Sequence, residues 1–124
     1  MSDVRLISEW MGENNETRAY YALDREMLTA HREERDAHAE NIARSLLEHA
    51  NIPLLIRARA CMVIGCSNAP DHLDMAKEAV RIAELGRSRC VSPGDFENQL
   101  VADCREVCRG AQAFWDANHQ GTAG

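Results

Sequence analysis

Residues 92–115 read SPGDFENQLVADCREVCRGAQAFW, and this stretch decides the fold class. Phe96, Leu100, Cys104, Val107, Cys108, Ala111, Phe114 and Trp115 recur every three or four residues, the spacing that lines one face of an α-helix. Ser92 is placed to cap this helix. Pro93 suits its first position, where an N–H is unbonded anyway, and Asp95 suits its positive end. Gly110 weakens the helix without forbidding it. The chain has few β-branched or aromatic runs of the kind a sheet needs.

The same period extends upstream. Pro70 and Asp71 open a helix with Leu73, Ala76, Val80 and Ala83 on one stripe, and Gly86 stands where a helix-ending glycine would. Pro53 to Ile64 is apolar on nearly every side, as in a helix buried at the centre, with Pro53 at its first position and Gly65 to Asn68 as the loop after it. Residues 53–85 resemble a helical hairpin of the tetratricopeptide kind at Ile64-Gly65 and Ala76, one residue out of that spacing. From Glu16 to Ala50 there is neither Gly nor Pro. Two apolar groups, Tyr20, Leu23, Met27, Leu28 and then Ala39, Ile42, Ala43, Leu46, Leu47, flank the charged run His31 to Asp36. This predicts one long or kinked helix, with Asp36 as the cap if there are two. Val4, Ile7, Trp10 and Met11 form a short helical segment that a break over Gly12 to Asn15 would end. The expectation is an all-α protein: a compact bundle of about five helices, including one long or kinked N-terminal helix. It forms a single domain over residues 1–118, with a flexible tail over 119–124.

At 124 residues and 45% hydrophobic, the chain has the size and composition to bury a core without staples. Its formal charge is −6, which argues against unselective binding to a phosphate backbone. Residues 1–52 carry 11 acids and 6 bases, and residues 53–124 carry 9 and 8, so the negative field lies in the first half. Lys77 is the only lysine. Arg used over Lys, with much Ala, suggests a GC-rich bacterial genome or a phage of such a host. No signal peptide and no apolar run of about 18–20 residues is present, which leads to the expectation of a cytoplasmic protein whose five cysteines are reduced.

Four groups of residues carry candidate chemistry. Cys61, Cys66, Cys104 and Cys108 would hold a soft metal if they converged, but there is no C-x-x-C pair, and three of them sit on apolar stripes like ordinary small hydrophobes. His31, Glu34 and His38 share one face of an unbroken helix, in a segment whose mixed charges suit a solvated surface. Arg57, Arg59, Arg81, Arg87 and Arg89 would make a basic rim for a phosphate or an acidic partner, or be balanced by nearby acids. Arg44-Ser45-Leu46-Leu47-Glu48-His49 is similar to the signature of HEPN-type ribonucleases, which are also helical bundles. That resemblance, over six residues, implies His49 as general acid or base and Arg44 holding the scissile phosphate. Gly-rich phosphate loops, a nucleophile elbow and a basic recognition helix are all absent.

The function expected is therefore a small acidic non-enzymatic helical protein, with no cofactor, that acts by binding another protein. It would serve as a regulator or inhibitor, and in a phage it would be directed at a host nucleic-acid-binding or defence complex. Trp10, Tyr20 and Tyr21 are its expected aromatic anchors, and Glu33, Glu34, Asp36 and Glu40 form an acidic face for a partner with a basic surface. An over-long helix with two apolar patches also suits a homodimer. The alternatives are the ribonuclease centred on Arg44 and His49 and a metal or redox protein using the cysteines.

Overall fold

The computed structural model describes the backbone of residues 2–120 and the side chains of residues 15–119. Five helices follow one another: α1 (Ser2–Arg32), α2 (Asp36–Leu47), α3 (Leu54–Gly65), α4 (His72–Ser88) and α5 (Asp95–Gln120). Among the described residues there is no strand, so the chain is an all-α bundle. No described helix is long and apolar enough to cross a membrane.

Each helix packs on its neighbour in sequence; α1 also meets α3, and α3 meets α5. Among the described residues, the backbones of helices further apart in the chain do not approach one another, and α2 reaches the start of α4 only through side chains. The result is a zigzag row with α3 in the middle. One face of α3, with Ile56, Ala60, Val63 and Ile64, closes a core against Met27 and Ala30 of α1 and Ile42 and Leu46 of α2. The other, with Ala58 and Cys61, closes a second core against Ile82 and Ala83 of α4 and Val101 and Cys104 of α5. This double burial is why α3 is apolar all round. Gly65 lets α3 and α4 approach: a Cβ there would lie 2.9 Å from Ala76 Cβ and 3.0 Å from its Cα.

Several boundaries differ from expectation. Residues 16–50 form two helices rather than one. α1 ends in a Schellman turn, in which the Arg35 N–H donates to Ala30 O (2.8 Å) and the Glu34 N–H to His31 O (3.2 Å). Glu34 occupies the left-handed position of that turn, at φ 61°, where glycine is usual. Asp36 does not cap α2; it is the first helical residue, Arg35 precedes it, and no side chain bonds the helix start. α1 runs through residues 12–15 without the expected break, since one glycine costs a helix only about 1 kcal/mol. Pro53 occupies the cap position of α3 rather than its first turn. Gly86 lies inside α4, which continues to Ser88. α5 begins at Asp95, so Ser92 and Pro93 precede it; Glu97 Oε2 reaches back to accept the Gly94 N–H at 2.8 Å, the carboxylate half of a capping box. α5 continues to Gln120, and the His119 ring stacks on Trp115 at 3.6 Å between centroids.

Candidate functional site

The residues singled out by sequence do not assemble into one centre. Arg44, on α2, donates to Asp71 through both terminal nitrogens (3.1 and 2.9 Å) and to Glu40 through Nε (3.0 Å). These bonds raise its already high pKa and hold the Asp71 carboxyl below its ordinary value. The guanidinium that would grip a phosphate thus clamps α2 to the start of α4. His49, in the turn after α2, packs its ring on Tyr20 of α1 at 5.5 Å, and its carbonyl accepts a hydrogen bond from Arg57 (2.7 Å). Arg44 and His49 therefore engage different partners on different elements.

The cysteines also stay apart in character. Cys61 and Cys104 are buried, and burial pushes their thiols up to about 11 and about 12, so both are protonated at neutral pH. Cys104 Sγ lies 3.9 Å from Met62 Sδ, as a core side chain does. Cys66 is exposed at the end of α3, and Cys108 is half-buried on α5. Among the described residues no three of the His, Cys, Asp and Glu side chains group so as to hold a metal ion. The expected face of His31, Glu34 and His38 is broken by the Schellman turn: His31 stays on α1, Glu34 is in the turn, and His38, on α2, meets Glu26 at 2.9 Å.

Of the expected anchors, Trp10 lies outside the residues whose side chains are described. Tyr20 is buried and bonds Glu16 (2.7 Å), which removes it from any contact surface. Tyr21, one position on, is 37% exposed. Of the acidic face, Glu33 and Glu40 already pair with Arg35 and Arg44, leaving Glu34 and Asp36 as exposed acids without an ion pair among the described residues.

The basic rim separates too. Arg81 pairs with Glu78, and Arg57 holds the carbonyl of His49. Arg59 reaches back to α1, where it donates to Asp24 at 2.8 Å. Asp24 is buried, its second oxygen Oδ1 has no partner, and burial raises its pKa while Arg59 opposes the rise. The sequence carried a signal for this pair: Asp24 stands in the stripe of Tyr20 and Met27, so an acid falls on an apolar face. Arg59 also lies over the Phe96 ring, 5.5 Å from its centroid. One arginine therefore ties α1 to α3 and props an aromatic ring of α5.

That ring borders the feature that sequence reasoning missed. Between the start of α3, the end of α4 and the start of α5 runs a cleft of about 240 Å³, walled by Leu54, Leu55, Ile82, Ala83, Phe96 and Leu100. Phe96 was expected on the core stripe, yet it is 52% exposed, and Val91 in the neighbouring loop is fully exposed. Phe96 lies in the first turn of α5, at the open side of the cleft. Arg87 and Gly86 complete the lining. Arg87 is half-buried, and its guanidinium has no hydrogen bond or ion pair among the described residues. The α4 carbonyls nearby are occupied: Leu85 and Gly86 accept from Arg89, Arg87 from Cys90, and Leu85 also from the Ser88 hydroxyl. Apolar walls with one unpaired cation at the rim are the composition of a binding cleft. Comparison with family models, curated proteins and solved structures finds no match to this chain.

Proposed function

We propose that the chain is a non-enzymatic helical protein that acts by binding another protein, with the α3–α4–α5 cleft as its contact surface. One observation carries this reading: the Phe96 ring stands half exposed on the wall of an apolar cleft whose cation is unpaired. In addition, the Arg44 guanidinium, which would hold a phosphate, is spent on Asp71 and Glu40. Aromatic side chains at the edge of an apolar depression are the usual anchors of an interface.

The test is quantitative capture of partners from cells, using the full chain and two variants. Gly86→Leu puts an added side chain on the cleft wall, at a position where a Cβ meets no atom within 4 Å. Charge reversal at Glu33, Glu34 and Asp36 removes the acidic corner between α1 and α2. A stoichiometric protein held by the parent chain and the corner variant, and lost from Gly86→Leu, supports the cleft. Loss from the corner variant alone transfers the function to the acidic corner. Absence of any stoichiometric protein overturns the protein-binding reading.

A further inference from the structure

The cleft also constrains the chemistry of what it takes. Its walls are aliphatic apart from Phe96, and its volume of about 240 Å³ suits one branched or linear aliphatic group rather than a nucleotide or a helix laid flat. Three polar side chains border it, and two are already engaged. The Cys90 thiol contacts Gly86 O at 3.5 Å. Glu97 is held by the Gly94 N–H (2.8 Å), with its charge at the positive end of α5. The third is Arg87, whose fork of donors is unused and matches a carboxylate. We infer that the cleft takes an aliphatic side chain from a partner polypeptide with a carboxylate close beside it, the chain lying between Leu54, Ile82 and Leu100 and the carboxylate on Arg87. This rests on the cleft being the contact surface proposed above.

Hexanoate carries just these two features and serves as the probe, with 1-hexanol and hexylamine as neutral and cationic counterparts. Each is titrated into the full chain while backbone amide shifts are followed by NMR. Hexanoate is expected to shift residues 82–90 and 96–100 saturably and to bind more tightly than hexanol, with hexylamine weakest. Arg87→Gln is expected to erase the advantage of hexanoate over hexanol, about 2–5-fold for a solvent-accessible charge pair. Gly86→Leu is expected to abolish the shifts of all three. Hexylamine binding as tightly as hexanoate, or shifts that survive Gly86→Leu, would overturn the inference. Absence of hexanoate binding beside cleft-dependent capture of a protein overturns this inference and leaves the proposed function standing. Hexanoate binding without cleft-dependent capture supports the ligand chemistry but overturns a polypeptide as its source, and with it the proposed function.

Discussion

Glu34 does the work of a glycine, and the absence of a glycine there is why the first two helices read as one. The Schellman turn sets Glu34 at φ 61°, a conformation that costs a side-chain-bearing residue roughly 1 kcal/mol. Glu34→Gly is therefore expected to stabilise the protein by up to about 1 kcal/mol, read from the urea midpoint. Gly65 is the opposite case. A methyl there meets both Cβ and Cα of Ala76, so Gly65→Ala is expected to cost about 1–3 kcal/mol by the same measurement, although alanine is the better helix former. Asp24 and Arg59 make a third point at this scale. Arg59→Met strands a buried carboxylate and is expected to destabilise by about 3–5 kcal/mol, whereas the double variant Asp24→Leu with Arg59→Met loses less. A double-mutant cycle in urea checks this, and equal losses from the single and double variants would refute it.

Elements were more legible than their ends. The stripes of α4 and α5 and the all-apolar α3 follow directly from residue period, and the structure has helices there. Their boundaries were set by interactions that leave little trace in sequence: the Glu97 reach to Gly94, the run of α4 past Gly86, and the α1 turn made from backbone bonds alone. The cleft escaped for a related reason. Periodicity places Phe96 on the buried face, and only the tertiary arrangement of α3, α4 and α5 leaves its ring half outside. The clamp between α2 and α4 was equally hidden, since Arg44 and Asp71 are far apart in sequence. It has a consequence for acid stability. Arg44 holds the Asp71 carboxyl below its ordinary value of 3.8, so the stabilisation is complete above that pH and is lost as pH falls through the lower folded value. Asp71→Asn is expected to flatten the acid limb of a stability curve measured from pH 5 to pH 2; an unchanged limb would show that the pair contributes nothing. The cysteines divide by burial instead. Iodoacetamide at pH 8 is expected to label exposed Cys66 well before Cys61 and Cys104, whose buried thiols titrate at about 11 and about 12, as mass spectrometry of the native protein would show.

At the scale of the whole molecule, the described parts of the two terminal helices both turn polar side chains outward. α5 turns Asn98, Arg105, Glu106 and Arg109 to solvent, and α1 turns Arg18, Arg25 and Glu26. Among the described residues, backbone contacts join each helix only to its neighbours and next neighbours, and α1 is tied to α4 and α5 by way of α3. A tether pulling on the two ends of the chain would therefore meet no bond that spans the molecule. Under force the protein should peel from its ends, one helix or helix pair at a time, giving a series of short extensions at low load instead of one abrupt rupture.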